Sequence, residues 1–380
     1  MTESQLALIT RLKEELLDPV KQQFVGKDEI VDLLGIALVA RENLFLHGPP
    51  GTAKSALVHA IAKRVVGKSF DYLLTRFTEP NELFGPFDIS RLKEGELVTN
   101  TEGMLPEAEI IFLDELFNAN SAILNNLLTA LNERTFRRGR ESYELPALMF
   151  VGASNNLPED ETLRALFDRF LIRASCGPVA DDELRAVLMT GWKGEGLGAP
   201  TPSISSDEIR ELQSLIPKVD LSESTDLYLE LVQKLRQAGL DVSDRRAVRL
   251  QRVIASSAVL SGRLTARASD LWILKHIWDR EEQIDIVTSI VTSTLGRFEE
   301  EADDHPAASQ SPAPDPERLN DKLQELLARA ETSSSDQSRS TLPDEARILA
   351  SQLEWLAEGP EKSALQEKLD ALWKLTESAE

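Results

Sequence analysis

The chain has 380 residues, of which 42% are hydrophobic, and a formal net charge of −22 at pH 7. This length allows two packed domains with further material beside them. The negative charge argues against a general affinity for nucleic acid or anionic membranes, because both are themselves polyanions. The single cysteine, Cys176, excludes an intrachain disulfide, and no Cys/His cluster has zinc spacing. Together these features favour the reducing cytoplasm.

The N-terminal segment predicts an amphipathic helix. The segment carries acidic residues throughout and has no uninterrupted apolar stretch, which argues against a signal peptide. No part of the chain approaches the ~20 apolar residues of a transmembrane helix, so we expect no membrane insertion. The helix should pack on its own domain through apolar residues spaced by three or four positions: Leu6, Ile9, Leu12, Leu16, Val20 and Phe24.

Residues 1–178 predict the N-terminal helix followed by a doubly wound α/β domain. Apolar runs without polar alternation are typical of a parallel sheet covered by helices on both faces. They alternate with helical patterns, as βαβ units require. The predicted strands are 43–47, 72–74, 110–113, 147–153 and 170–172, and the predicted helices are 30–40, 55–66, 122–132 and 163–167.

Two charged segments predict hairpins inserted into this domain. The first covers residues 88–98 and would turn at Glu94-Gly95. The second covers residues 135–145 and would turn near Gly139. In both, residues of high strand propensity flank a glycine-bearing turn.

The rest of the chain predicts helices. Residues 179–298 would form an all-helical domain, with helices at 181–188, 207–215, 227–238, 245–257, 268–278 and 282–295. Residues 299–316 predict an acidic, proline-rich linker, and residues 317–380 a tail of short leucine-striped helices. From residue 299 onward, 20 acids face 8 bases, which gives this region −12 of the net charge. A small helical module and a partner-docking element fit this tail equally well.

A glycine-bearing loop, residues 48–55, follows the first predicted strand and leads directly into a helix. This arrangement wraps a polyphosphate, because the glycines let backbone N–H groups point inward and the helix adds its positive end. We expect Lys54 to neutralise phosphate oxygens and Ser55 to offer its hydroxyl oxygen to Mg²⁺. Ala53 replaces the usual glycine, which is tolerable if its φ is negative. The expected nucleotide-binding residues here are Gly48, Pro49, Pro50, Gly51, Thr52, Ala53, Lys54, Ser55 and Ala56.

Two carboxylates, Asp114 and Glu115, follow the apolar run 110–113. The carboxyl ends of strands in an open α/β sheet face the ligand crevice. We expect Asp114 to hold Mg²⁺ through its water shell and Glu115 to polarise the attacking water as a general base. Such a string is common by chance, but after a phosphate loop in the same domain it indicates ATP hydrolysis.

These motifs resemble the MoxR branch of the AAA+ ATPases and, within it, the RavA subfamily. The similarity extends to about Phe298 and includes three further segments in the familiar order, residues 75–86, 103–109 and 127–134. It implies an α/β AAA+ core followed by an all-helical lid domain. The first hairpin then matches the helix-2 insert of this clade, and the second matches the hairpin that precedes the sensor strand.

The resemblance also assigns residue roles on the nucleotide side. Asn155 is similar to the sensor-1 residue that orients the attacking water, with Asn156 as the weaker alternative. The pair Val25-Gly26 resembles the hydrophobic–glycine pair that contacts adenine.

Three arginines complete the assignment by resemblance. Arg169 is similar to the arginine finger that reaches the neighbouring subunit's nucleotide, with Arg164 as the alternative. Arg245 resembles sensor 2, which would tie the helical domain to the γ-phosphate.

The resemblance implies an ATP- and Mg²⁺-dependent ATPase that forms a ring, expected to be a hexamer, and remodels a partner carrying a von Willebrand factor A domain. RavA relatives continue into a further β-rich insertion, so partners tied to that insertion are not carried over. The alternatives are a nucleic-acid motor, a chelatase-type ATPase subunit, and a nucleotide-binding scaffold without turnover. The basic hairpin tip, Arg137, Arg138 and Arg140, is the feature that supports the motor.

Overall fold

A computed structural model provides the structure of the chain. It describes residues 1–93, 98–138, 141–158, 160–194, 203–298, 301, 303–309, 319–320, 323–324, 326–327, 330, 346, 349–350, 353 and 360–377.

The N-terminal segment is helical and packs on its own domain, as predicted. Helix α1 (Glu3–Arg11) continues through a π-helical stretch (Leu12–Leu17) into α2 (Asp18–Gln23). Thr2 begins α1 with a capping box, in which its side chain accepts from the backbone N–H of Gln5. The apolar stripe of this segment is largely buried in the main core.

The core of the first domain is a five-stranded sheet in the order β3-β4-β7-β1-β8, and all of its strand pairs are parallel. β1 lies between two neighbours, since Leu44 is in register with both Val151 and Ile172. The β5–β6 pair confirms the second predicted hairpin, with its tip residues 139–140 outside the described part. The strands are β1 (Leu44–His47), β2 (Val65–Val66), β3 (Ser69–Leu73), β4 (Ile110–Asp114), β5 (Thr135–Arg138), β6 (Glu141–Glu144), β7 (Met149–Ser154), β8 (Ile172–Ser175) and β9 (Ile204–Ser205).

Helices cover this sheet, which confirms the doubly wound α/β AAA+ fold. Side-chain caps set where two of them begin: Asn120 accepts from the first turn of α7, and Asp160 accepts from the N–H of Leu163 in α8 at 2.8 Å. The helices of this domain are α3 (Asp28–Ala40), α4 (Lys54–Ala62), α5 (Pro80–Phe84), α6 (Ile89–Lys93), α7 (Ser121–Glu133) and α8 (Glu161–Phe167).

Some predicted boundaries were wrong. The helix expected over 55–66 ends at Ala62, because residues 65–66 form β2 and pair in parallel with β9 of the second domain. The strand expected over 72–74 begins earlier, at Ser69, because its register with β4 starts at Ile110. Pairing partners far away in sequence decide both boundaries.

The first predicted hairpin was wrong in its first arm, which forms α6 instead of a strand. Asp88 caps this helix by accepting from the backbone N–H groups of Ser90 and Arg91 at 2.8 and 3.2 Å. Such local capping competes with strand pairing. The flanks do approach each other through an antiparallel bridge between Phe87 and Thr99. The predicted turn lies in residues 94–97, outside the described part.

The described residues of the second domain are mainly helical, with β9 as their one named strand, and α12 (Asp244–Leu260) docks on the first domain. The Ser256 hydroxyl donates to the carbonyl of Ile36 at 2.9 Å, and Arg249 pairs with Glu42 just before β1. The segment predicted as an α-helix over 268–278 is instead 3₁₀-helical. The helices are α9 (Asp181–Gly194), α10 (Ser206–Gln213), a short 3₁₀ helix (Ile216–Lys218), α11 (Ser222–Gln237), α12 (Asp244–Leu260), a longer 3₁₀ helix (Ala268–His276) and α13 (Gln283–Leu295).

The C-terminal region begins against the second domain. Helix α14 (Pro306–Ser309) lies within the predicted linker, next to His305, whose ring stacks on Trp272 with a centroid separation of 5.3 Å. Helix α15 (Pro360–Glu377) closes the tail. The described tail leucines form a second core, as a small helical module requires: Leu319, Leu323, Leu326, Leu349, Leu353, Leu365, Leu369 and Leu372. Among the described residues, no helix is long and apolar enough to cross a bilayer.

Candidate nucleotide site

The loop that follows β1 is held in shape by short backbone contacts. Gly48 has φ +153°, and a Cβ built on it would lie 2.1 Å from the carbonyl oxygen of Cys176, so only glycine fits. Gly51 has φ +84° with open space around it, so backbone conformation alone demands glycine there. The Thr52 hydroxyl donates to the carbonyl of Pro49 at 2.9 Å and closes the turn. The chain's own backbone and side chains therefore hold the loop in this shape.

Lys54 begins α4 and is buried inside this loop. Its ammonium donates to the carbonyls of Gly48 and Pro49 at 2.6 and 2.9 Å, and to Asn155 Oδ1 at 2.9 Å. The first N–H groups of α4 have no partner within the helix and face the same loop. A polyphosphate in the loop would meet a fixed cation and the positive end of a helix, as the sequence predicted.

Ser55 and Asp114 lie side by side, although 59 positions separate them in the chain. The Ser55 hydroxyl donates to Asp114 Oδ2 at 3.1 Å. Neighbouring oxygens around an octahedral Mg²⁺ are ~2.9 Å apart, given ion–oxygen distances of 2.0–2.1 Å. Two hard oxygen donors at nearly this separation fit a magnesium ion, held directly or through its waters.

Glu115 turns sharply away from β4 because its φ is +50°. A non-glycine residue in this region stores ~1–3 kcal/mol of strain, and such strain concentrates at functional sites. The turn brings the Glu115 carboxylate to Asn155, whose side-chain N–H group donates to Glu115 Oε1. Asn155 thus bridges Lys54 and Glu115. Asn156 instead donates its backbone N–H to the hydroxyl of Ser154.

Ala53 was expected to have a negative φ, but this prediction was wrong, because its φ is +67°. The tight turn into α4 imposes the left-handed conformation, which costs an L-residue ~1–2 kcal/mol relative to glycine.

We therefore expect Ala53→Gly to raise the free energy of unfolding by ~0.5–1 kcal/mol, after glycine's greater freedom in the unfolded chain is subtracted. The denaturation midpoint of the first domain measures this. Ala62→Gly, at the end of the same helix, is the matched control and should destabilise by ~0.5–1 kcal/mol. A lower midpoint for Ala53→Gly would contradict the strain argument.

The pair Val25-Gly26 lies where the two domains meet. Gly26 has φ +71°, and a Cβ built on it would come within 2.5 Å of Glu183 in α9. The ammonium of the next residue, Lys27, donates to the carbonyl of Gly177. The pair therefore sits at the junction with α9, and its adenine contact remains a prediction.

Arg169 and Arg245 lie together at the opposite edge of the sheet. The side chain of Asn43, which precedes β1, donates to the carbonyl of Arg169 at 2.8 Å and lies 3.5 Å from the carbonyl of Leu131. Arg245 donates to Oδ1 of Asn132, which follows Leu131 at the end of α7. The phosphate loop follows the other end of β1, ~13 Å along a four-residue strand. Arg245 therefore does not reach its own phosphate loop, contrary to the sequence-based role, because α12 docks at the start of β1.

The two arginines form a cationic edge on a strongly acidic protein. Burial lowers the pKa of Arg169, and the nearby charges of Arg245 and Arg249 lower it further. Within the described part of the chain, the buried Nε of Arg169 has no hydrogen-bond partner. Asp168 offsets part of this effect by raising the pKa of Arg169, and the buried carboxylate of Glu42 pairs with Arg249. An anion reaching this edge would meet donors and charge ready for it.

Sequence reasoning missed Glu42 and Asn43, which organise this edge. The only available signal was a charged and a polar residue directly before a buried strand. Their partners, on α7, α12 and the turn after α8, could not be read from it.

The fold and the site define a P-loop nucleotide-binding protein of the AAA+ class with a helical lid. Family comparisons make this specific. The model described as the MoxR domain in the MoxR-vWA-beta-propeller ternary systems matches residues 10–214, just over half of the chain, and that of an AAA lid domain matches residues 224–291. The chain belongs to the MoxR family of AAA+ ATPases.

Individual proteins similar to this chain include two sequence relatives and one solved structure. MJ0079 of Methanocaldococcus jannaschii is 37% identical over 76% of this chain and 76% of its own length. The chaperone MoxR1 of Mycobacterium tuberculosis is 28% identical over 48% of this chain and 49% of its length. A crystal structure from Cytophaga hutchinsonii shares the fold, with a TM-score of 0.62 and 22% identity over 78% of this chain and 97% of that one.

Proposed function

We propose that the chain hydrolyses ATP to ADP and phosphate in a ring whose active sites are shared between neighbouring subunits. One observation carries the proposal: the groups suited to hydrolysis lie at two opposite edges of one sheet. Lys54 and Glu115 occupy the nucleotide edge, while Arg169 and Arg245 occupy the other. A single subunit cannot bring them together, whereas neighbours in a ring bring one edge to the other.

The chemistry follows from the contacts at the nucleotide edge. Lys54 and the loop N–H groups bind the phosphates. Ser55 and Asp114 would hold Mg²⁺, which would neutralise charge on the phosphates. Glu115, oriented by Asn155, accepts the proton of the attacking water. Hydrolysis therefore requires the Asn155 amide to keep its two contacts.

The arginine edge supplies the remaining charge. Arg169 of one subunit meets the γ-phosphate of its neighbour and matches the charge that builds up during transfer, an effect of ~10³–10⁵ in turnover for such fingers. Arg245, beside it, acts on the same phosphate from the same neighbour. Its sensor role is thus exerted between subunits rather than within one.

The proposed output is chaperone-like remodelling of a protein partner carrying a von Willebrand factor A domain. Two findings support it: the matching family model is described from ternary systems that contain such a domain, and a relative is named a chaperone. A hexamer in the cytoplasm and a place in the RavA subfamily remain predictions from resemblance.

The alternatives have less support. At the basic hairpin, Arg137 pairs with Glu133 at 3.1 Å, and the side chains of residues 138 and 140 lie outside the described part. For a chelatase-type role, no group of three or more His, Cys, Asp or Glu residues among the described positions is placed to hold a metal ion. Neither observation favours these functions over protein remodelling.

The test is the ATPase rate per subunit against protein concentration. A shared site requires the rate to rise over the range in which light scattering shows rings assembling, and then to level off. Lys54→Ala measured in parallel corrects for contaminating activity, because it removes the phosphate-binding cation. A rate that stays flat through assembly would exclude the shared site.

A further inference from the structure

A buried ionic cluster joins the two domains directly behind the arginine edge. Arg173 of β8 is 0% exposed, and its guanidinium donates to Asp279 and, at 2.6 Å, to the carbonyl of Trp278. The same group stacks on the ring of Phe167 at 3.9 Å and lies 3.5 Å from Asp168. The sheet thus reaches into the segment between the 3₁₀ helix and α13.

Asp279 binds α12 as well. Its Oδ1 accepts from Arg246 at 2.7 Å, and its Oδ2 accepts from the backbone N–H of Asp241 at 3.2 Å. Arg246 further donates to the carbonyls of Asp241 and Ile277. Burial alone would raise the pKa of Asp279, but Arg246 and Arg173 outweigh it and hold the pKa below its usual value, so the carboxylate stays charged.

The two cations that meet at Asp279 are each next to one of the edge arginines. Arg246 follows Arg245 in the first turn of α12. Arg173 contacts Asp168, the residue before Arg169. It also donates to the carbonyls of Phe167 and Phe170, which flank the Asp168-Arg169 pair. One carboxylate therefore holds both backbone segments that present the edge.

We propose that Asp279 is the positioning residue that fixes the spacing of Arg169 and Arg245 for the neighbouring subunit's nucleotide. The inference rests on the proposed shared site. Arg173 is fully buried, Arg246 is 7% exposed and the Asp279 carboxylate that they share is 22% exposed. Such a largely buried ion pair is a costly way to stabilise a core, since apolar groups of the same volume often serve as well or better. Their directed hydrogen bonds instead hold two segments, on different domains, in one arrangement.

Asp279→Asn tests this, because it keeps the shape of the side chain and removes its charge. We expect turnover to fall roughly 10- to 100-fold, as misplacement by about 1 Å can do, while ATP affinity stays within twofold. Arg246→Lys is the second variant. It keeps the positive charge but loses the forked donor, so its turnover should fall while its ATP affinity stays unchanged. This variant replaces Asp279→Asn if thermal unfolding shows that Asp279→Asn folds poorly. Unchanged turnover in folded Asp279→Asn would refute the inference.

Asp244→Asn is the matched control. It removes the same charge from the first turn of α12, where Asp244 forms a 2.8 Å ion pair with Arg236 but is 98% exposed. Its turnover should stay within twofold of the parent. A loss equal to that of Asp279→Asn would mean that net charge near the edge matters and that positioning by Asp279 does not.

Rings mixed from two variants show whether a substitution damages the arginines that a subunit gives to its neighbour or the nucleotide site of the subunit itself. Glu115→Gln subunits keep an intact arginine edge, so mixing them with Asp279→Asn subunits should restore turnover in the latter. Arg169→Ala mixed with Glu115→Gln is the benchmark for sharing itself. Rescue of Arg169→Ala without rescue of Asp279→Asn would overturn this inference alone, while failure of the benchmark would overturn the shared site.

Discussion

Glu115→Gln is expected to bind ATP as tightly as the parent and to hydrolyse it about 10²–10⁴-fold more slowly, the range that a positioned general base contributes. The amide retains the size of the carboxylate and can still contact Asn155, so the nucleotide edge keeps its shape. It cannot accept a proton from water. Phosphate release measures the rate, and a fluorescent ATP analogue measures the affinity.

A matched control is Glu107→Gln. Glu107 lies before β4, at the end away from the nucleotide edge, and pairs with Lys68 at 2.7 Å. Turnover there should stay within twofold of the parent. If Glu115→Gln itself retained turnover within a few-fold, another group would have to be the base.

Arg169→Ala should reduce turnover by about 10³–10⁵-fold in assembled rings, while ATP affinity stays unchanged. The loss arises because the finger matches charge that exists only while the phosphoryl group is transferred. Added Glu115→Gln subunits should restore activity, since each variant lacks a different half of the shared site.

Arg164→Ala decides between the two finger candidates. Arg164 is exposed on α8, five residues before Arg169, which follows the end of that helix. We expect turnover within twofold of the parent for this variant. A large, rescuable loss at Arg164 together with normal turnover in Arg169→Ala would transfer the finger role to Arg164.

The central strands, the phosphate loop and the acidic pair were predictable from sequence because each depends on residues close together in the chain. An apolar run indicates a buried strand, and glycines followed by Lys-Ser indicate a loop that leads into a helix. The Ser55–Asp114 contact followed from the general rule that parallel strands end at one edge of the sheet.

What failed depended on backbone angles or on distant partners. The positive φ of Ala53 is set by how the loop must turn onto α4, which the residue types of the loop do not reveal. In the first hairpin, a local cap at Asp88 prevailed over strand propensity.

The sequence by itself predicted the α/β AAA+ fold and, through the resemblance, the MoxR family that the comparisons show. Only the tertiary structure decided where Arg245 lies and that Asp279 joins the segments beside it. Strand and loop chemistry arises from neighbours in the chain, whereas charges more than 30 positions apart, such as Arg246 and Asp279, meet only once the chain between them has folded.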